Sequence, residues 1–214
     1  MGLRLKKILE EDLLFGLWEI EEGYRELLQT VNVDKEERII LETFRSHLRK
    51  IEWLSVRALL KECLNDDDKI LYNVNRKPYL ANNHYNISIS HSHKFTAILL
   101  SKTKKVGLDL EYMSHKISNI EKKFINEKEY ITPQDELRKY HLYVHWCAKE
   151  ALYKLLDKQN ISFRENVILD PFEPKEQGIV KGTVKNDFME ERYDLHFFKR
   201  DNYIFAWSSK SLLV

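Results

Sequence analysis

The sequence predicts an α+β protein of two similar halves, because two regions of helical patterning each precede a series of short strand-like segments. Apolar residues recur at helical spacing over residues 34–64 and again over 132–156. Short, strand-like runs follow each region. The seam lies near residues 102–105, so we expect an N-terminal half of residues 1–103 and a C-terminal half of residues 104–214.

In the first half, a short apolar run at 13–20 leads into an acidic helical stretch at 21–31. Asp34 is a suitable N-cap for one long helix that ends near Leu64. The predicted strands after this helix are 70–74, 86–90 and 95–101.

The second half opens with a predicted strand at 106–112, followed by helical patterning at 118–130. Thr132-Pro133 resembles an N-cap with proline at the first helical position, and the helix that it opens ends near Leu156. The predicted strands after it are 167–169, 178–184, 193–199 and 203–209, the last two joined by a turn at Asp201-Asn202.

The composition is typical of a water-soluble chain with a substantial core, since 43% of the 214 residues are hydrophobic and 32% are charged. The net charge of +1 argues against a generally basic nucleic-acid-binding protein. No apolar run reaches the roughly 18 residues of a membrane span, so we expect a cytoplasmic protein without a membrane partner. Cys63 and Cys147 form no CxxC motif and are predicted to be small buried residues.

Two carboxylates share one face of the predicted strand at 106–112. Alternation sends Leu108 and Leu110 to one side and Asp109 and Glu111 to the other, about 7 Å apart at Cα. Such a pair either faces water or shares a hard cation such as Mg²⁺, which prefers oxygen ligands.

The segment Trp146-Cys147-Ala148-Lys149-Glu150-Ala151-Leu152-Tyr153-Lys154 lies within the second long helix. Glu150 and Lys154 are one turn apart and are compatible with an ordinary surface ion pair. Alternatively, Glu150 completes a three-carboxylate metal site and the two lysines of the segment neutralise a phosphate group.

Other polar groups leave several interpretations open. Ser90-His91-Ser92 ends a strand with groups suited to phosphate oxygens, and no G-x-S-x-G motif supports a hydrolase. His141 and His145 are spaced for zinc on a helix, but with no evident third ligand they indicate a partly exposed helix face. The face carrying Arg38, Arg45 and Arg49 is either solvated or a nucleic-acid contact.

Taken together, these motifs resemble those of the 4′-phosphopantetheinyl transferase superfamily, in its broad-specificity class that activates peptide synthetases. Gly107-Leu108-Asp109 resembles the family's G-[I/V]-D motif, and the segment 146–154 resembles [F/W]-[S/C/T]-x-K-E-[A/S]-x-x-K. Lys77-Pro78-Tyr79 is similar to a GKPY stretch, and Ser90-His91-Ser92 to an SHS strand. Leu108, Arg76 and a slightly short interval before Trp146 are mild departures that spare the charged groups of the motifs.

The resemblance implies a fold of two similar α/β halves that form a pseudo-dimer, with the active site in the cleft between them, in a monomeric protein. It also implies an enzyme that transfers the 4′-phosphopantetheine arm of coenzyme A to a serine of an apo acyl or peptidyl carrier protein. The implied reaction releases 3′,5′-ADP and depends on Mg²⁺, although the sequence does not decide between Mg²⁺ and Mn²⁺, since both take oxygen ligands.

By the same resemblance, Asp109, Glu111 and Glu150 hold the metal ion. Glu150 is the first candidate for the general base and Glu129 the second, while Lys149 and Lys154 face the phosphates. The implied coenzyme A contacts of the first half are Arg45, Arg57, Lys77, Ser90 and His91.

The resemblance further implies that the carrier protein docks on residues 117–131. That segment combines apolar residues with Lys122, Lys123 and Lys128, which suits an acidic, partly apolar partner helix. The same apolar residues are equally compatible with inward packing. A non-catalytic module of the same fold that binds coenzyme A or a carrier protein is the alternative function.

Overall fold

A computed structural model describes residues 2–65, 67–114, 116–157, 161–187 and 190–212. The chain separates into two compact units, Met1–Thr103 (unit 1) and Lys104–Val214 (unit 2). Both contain helices and an antiparallel sheet, which confirms the α+β class. No helix within the described ranges is long and apolar enough to cross a membrane.

The described residues of unit 1 form three helices, a four-stranded sheet and a separate two-stranded sheet. In chain order its elements are β1 (Leu3–Glu10), β2 (Leu13–Glu19), α1 (Tyr24–Thr30), α2 (Lys35–Thr43), α3 (His47–Leu64), β3 (Ile70–Tyr72), β4 (Pro78–Leu80), β5 (Asn86–Ser92) and β6 (Phe95–Ser101). The sheet order is β1-β2-β6-β5, and β3 pairs separately with β4. Helix α3 packs on β2 and β6 and buries Leu54, Leu59 and Leu60.

The prediction of one helix from residue 34 to 64 was wrong at its centre. Asp34 does cap α2, since its carboxylate accepts a hydrogen bond from the Glu37 amide at 2.9 Å. The helix nevertheless stops at Thr43, and Ser46 starts α3 by accepting a bond from the Arg49 amide at 3.3 Å. The serine inside the apparently continuous pattern was therefore a second N-cap.

Unit 2 contains a five-stranded antiparallel sheet covered by one long helix. Its elements are β7 (Lys104–Tyr112), a 3₁₀ turn (Ile117–Asn119), α4 (Glu121–Phe124), α5 (Asp135–Leu155), β8 (Val167–Leu169), β9 (Gln177–Lys185), β10 (Glu190–Arg200) and β11 (Tyr203–Ser211). The sheet order is β7-β11-β10-β9-β8, and α5 packs on β7 and β11.

Two predictions for unit 2 need correction. The helix expected at 118–130 is only a 3₁₀ turn followed by the four-residue α4. Helix α5 starts at Asp135 with Gln134 as its N-cap, so the Thr132-Pro133 start was two residues early. The predicted turn at Asp201-Asn202 is present between β10 and β11, and both cysteines are buried as expected.

Candidate active site

The acidic face of β7 lies against α5. Gly107 shares this face with Asp109 and Glu111, and a Cβ atom on Gly107 would lie only 2.0 Å from the Ala151 carbonyl oxygen. The glycine is therefore required for the close approach of α5. This approach brings helix side chains within reach of both carboxylates.

One row of α5 residues contacts this acidic face. The Trp146 indole Nε1 donates to Glu111 Oε1 at 3.0 Å, and the Lys154 ammonium donates to Asp109 Oδ1 at 2.7 Å. Glu150 is one helical turn from each of these two residues and lies on the same helix face. The three carboxylates are thus placed on two elements packed against each other.

The donor chemistry of these carboxylates fits a hard divalent cation. Oxygen ligands are what Mg²⁺ accepts, but in this structure the Lys154 ammonium already contacts one of them, Asp109 Oδ1. Within the described ranges, however, no three His, Cys, Asp or Glu side chains stand close enough together to share an ion. Side-chain movement, including that of Lys154, is needed before the three could do so.

Lys149 does not face a phosphate, contrary to the prediction. Its side chain is completely buried, and the ammonium donates to the carbonyl oxygens of Phe124, Phe163 and Val167 at 2.6, 3.0 and 2.7 Å. It also contacts Glu129 Oε2 at 2.7 Å. Burial lowers the pKa of Lys149 to about 8, against the opposing effect of Glu129. This lysine therefore connects α5, through buried hydrogen bonds, to the backbone near α4 and around β8.

Glu129 is the other half of this buried pair, so its assignment as a second general base is also corrected. Its carboxylate is fully enclosed and accepts backbone amides of Asn126 at 2.8 Å and Leu169 at 2.9 Å. Burial alone would raise the pKa of Glu129, but His145 and Lys149 together hold it below its ordinary value. An enclosed carboxylate cannot reach a partner's serine.

The prediction of a partly exposed helix face at His141 and His145 was wrong. Both rings are fully buried and pack around Phe172, with ring centroids 4.5 and 5.1 Å from it. The Thr132 amide donates to His141 Nδ1 at 3.1 Å. Burial lowers the pKa of His141 to about 4, so it is neutral at neutral pH.

The segment expected to dock a carrier protein turns its apolar residues inward. Ile117 and Phe124 are buried, while Ile120 and Ile125 pack against the core of unit 2. Its exposed side chains include three lysines and Tyr130. The basic part of the predicted surface is therefore available, whereas Tyr130 is the exposed member of its apolar part among the described residues.

The predicted coenzyme A contacts of unit 1 fall in different environments. Arg57 is buried, donates to Glu37 Oε1 at 2.7 Å and lies 3.1 Å above the Trp53 ring, so it is an interior ion pair rather than a ligand contact. Arg45 is exposed between α2 and α3, whereas Ser90 is buried in β5.

His91 and Lys77 are both half-buried. The His91 ring contacts the guanidinium of Arg49, with 2.6 Å between Nε2 and Nη1. Because a guanidinium can only donate, Nε2 is the acceptor of a neutral imidazole. The Lys77 amide closes the turn before β4 by donating to Asn73 Oδ1 at 2.9 Å.

Arg49 is the functional candidate that the sequence analysis did not select. It was grouped with Arg38 and Arg45 on one uninterrupted helix, whereas only Arg49 of these three lies in α3. It also contacts Glu52 at 3.2 Å, which holds the guanidinium close to His91. The signal that could have identified it is Ser46, the N-cap three residues earlier.

The fold and site define a protein with a carboxylate-bearing strand covered by a helix that carries glutamate and lysine one turn apart. The sequence model of the 4′-phosphopantetheinyl transferase superfamily matches residues 105–207. This range includes all of β7 except its first residue, the whole of α5 and all four charged residues of the site, so the match supports the superfamily that the motifs resemble. No curated protein matches the chain.

Proposed function

We propose that the protein is a Mg²⁺-dependent transferase of the broad-specificity class that moves the 4′-phosphopantetheine arm of coenzyme A to a carrier-protein serine. One observation carries the proposal. The α5 row of Trp146, Glu150 and Lys154 covers Asp109 and Glu111 of β7 inside the region that matches the superfamily.

Asp109, Glu111 and Glu150 are the residues that would hold the metal ion. When bound, such an ion offsets the negative charge of the pyrophosphate and of the departing 3′,5′-ADP. Proton removal from the serine and binding of the phosphate oxygens are carried out by side chains of this chain.

Glu150 acts as the general base, directly or through a water molecule, because Glu129 is enclosed and already paired. The serine oxygen forms a bond to the phosphorus that carries pantetheine, and the bond from that phosphorus to the bridging oxygen of 3′,5′-ADP breaks. The serine proton passes to Glu150. Lys154 binds phosphate oxygens during this step, and Lys149 does not take part.

In unit 1, Arg49 and His91 are the proposed contacts for the nucleotide phosphates. The guanidinium is half exposed, with 46% of its side chain accessible, and a planar fork binds phosphate well. Arg45, Lys77 and Ser90 stay proposed contacts of lower priority, and Arg57 is removed from the set.

The carrier protein is proposed to bind by electrostatic attraction to the segment that contains α4. Lys122, Lys123 and Lys128 are exposed there, which favours an acidic helix on the partner. The inward packing of Phe124 and its neighbours leaves little apolar surface for such a helix.

The test is intact-protein mass spectrometry of several apo carrier proteins incubated with this protein, coenzyme A and Mg²⁺. We expect a mass gain of one phosphopantetheine arm, lost with EDTA and reduced at least about 100-fold by Glu150→Gln. Glu136→Gln on the same helix is the matched control, since Glu136 is exposed in the first turn. Coenzyme A binding without any mass gain would favour the non-catalytic binding module.

A further inference from the structure

Lys154 is a cation that contacts the acidic face of β7. Its ammonium lies 2.7 Å from Asp109 Oδ1, while the second lysine of the segment, Lys149, is turned into the interior and pairs with Glu129. The two lysines therefore have separate roles, although they stand five residues apart on one helix.

The two partners in this ion pair differ in freedom. Asp109 is 4% exposed in the middle of β7, where strand pairing with Ala206 fixes its backbone. Lys154 belongs to the last turn of α5, and 27% of its side chain is accessible. A lysine has four rotatable side-chain bonds, so the ammonium can move while the carboxylate stays in place.

Because of this ion pair, the Lys154 ammonium and a divalent cation compete for Asp109. A divalent cation that binds Asp109 must approach the oxygen atom that the ammonium contacts, and two like charges at that distance repel each other. A phosphate group nearby offers the ammonium another partner. Trp146 raises no such conflict at Glu111, because an indole donor is neutral.

We propose that Lys154 is an exchangeable counter-ion that couples metal binding to coenzyme A binding, an inference that rests on the proposed function. Without coenzyme A, the ammonium stays on Asp109 and lowers the affinity of the site for a divalent cation. With coenzyme A, the ammonium moves to the pyrophosphate oxygens and frees Asp109 Oδ1 for the cation. Each ligand therefore raises the affinity for the other by the same factor.

The test measures Mn²⁺ affinity directly, with the full-length protein and no carrier protein present. Mn²⁺ accepts the same oxygen ligands as Mg²⁺, and its free concentration is read from its electron paramagnetic resonance signal. Titrations are made with and without coenzyme A. The Mn²⁺ bound by coenzyme A alone is measured in a reference titration without protein and is subtracted from the total. The variants are Lys154→Gln, Lys154→Arg and the control Lys181→Gln.

For the wild type we expect coenzyme A to tighten Mn²⁺ binding about tenfold or more, within the range typical of coupled sites. Lys154→Gln should bind Mn²⁺ alone about tenfold more tightly than the wild type and should lose most of the effect of coenzyme A. Lys154→Arg keeps the positive charge beside Asp109, so without coenzyme A it should not show the tighter Mn²⁺ binding expected of Lys154→Gln. Lys181 pairs with Asp194 on the surface, so its substitution should change nothing.

The failure of this inference differs from the failure of the proposed function. If Lys154→Gln binds Mn²⁺ alone with wild-type affinity, the counter-ion role is wrong, even where carrier modification succeeds. If the wild type binds no Mn²⁺ in the presence of coenzyme A, both the metal site of the proposed function and the coupling are wrong.

Discussion

At the scale of single residues, neighbours in one motif occupy opposite environments. Lys149 is enclosed among carbonyl oxygens and Glu129, whereas Glu150 and Lys154 lie on the face of α5 that meets β7. In the sequence, all three are simply charged residues of one helical motif, with nothing to show which of them is enclosed. Successive side chains point about 100° apart around a helix, and packing decides which direction is enclosed and which meets β7.

Replacing Lys149 by Met should therefore affect stability before chemistry. The substitution leaves the Glu129 carboxylate buried without its cation, which typically costs about 3 to 5 kcal/mol. Urea denaturation measures the loss, and the exposed Lys181→Met should change the free energy of unfolding by about 0.5 kcal/mol or less. A stable Lys149→Met protein that no longer binds coenzyme A would restore the phosphate-binding role.

Arg49 and Arg57 give a second pair of opposite predictions. Arg49→Gln should weaken coenzyme A binding about tenfold or more while leaving the free energy of unfolding nearly unchanged, because its side chain is half exposed. Arg57→Gln should lower stability by about 3 kcal/mol, since it strands Glu37 in the interior. Calorimetric titration and denaturation separate the two, and the reverse pattern would contradict the structure.

At the scale of elements, the contact between α5 and β7 depends on a residue without a side chain. Gly107→Ala would push a methyl group against the Ala151 carbonyl, which lies only 2.0 Å from the position of the new Cβ atom. We expect a loss of about 3 kcal/mol or more in unfolding free energy. Gly23→Ala is the control, because the nearest atom to its Cβ would be 3.7 Å away and belongs to the flexible Glu26 side chain.

The turn between β1 and β2 holds the end of β6 through one carboxylate. Asp12 accepts hydrogen bonds from the Ser101 hydroxyl, from both the amide and the hydroxyl of Thr103, and from the Lys102 amide. Burial alone would raise the pKa of Asp12, but these bonds outweigh it and hold the pKa at about 2.

Because the folded-state pKa of Asp12 is lower than the unfolded one, its contribution to stability is present above about pH 4 and is lost as the pH falls towards 2. Asp12→Asn should cost about 1 to 2 kcal/mol at pH 7, and the difference from the wild type should shrink over that acidic range. Denaturation curves at several pH values measure it. A cost independent of pH would show that the carboxylate charge has no role.

Helices and strands with strong periodicity were predictable, and their interruptions were not. The sequence located β5, β6, β7 and α5 within a few residues. It joined α2 and α3, because helical spacing continues across the break at 44–46, and it missed β1, where Leu3–Glu10 mixes charged and apolar residues. Such a strand is specified by pairing with β2, a long-range contact that local patterns do not contain.

At the scale of the whole molecule, the motifs indicated which elements carry the candidate site but not which of their charged side chains are buried. Strand alternation and helical spacing predict that Asp109 shares a strand face with Glu111 and that Glu150 shares a helix face with Lys154. That these two faces meet was implied only by the family resemblance, and the contacts of Trp146 and Lys154 with the strand carboxylates show it. The burial of Lys149, Glu129 and Arg57 depends on packing of distant segments, so their assignments as ligand contacts did not hold. Charged residue types alone do not distinguish a binding site from an interior ion pair.

The most direct test of the site is a crystal structure with coenzyme A and Mn²⁺, with the ion located by its anomalous scattering. We expect one ion within about 2.0 to 2.3 Å of oxygen atoms from Asp109, Glu111 and Glu150, with the Lys154 ammonium moved from Asp109 to a phosphate oxygen. An ion bound away from β7, or coenzyme A phosphates bound with Lys154 still on Asp109 and no ion beside it, would show that the proposed metal site is wrong.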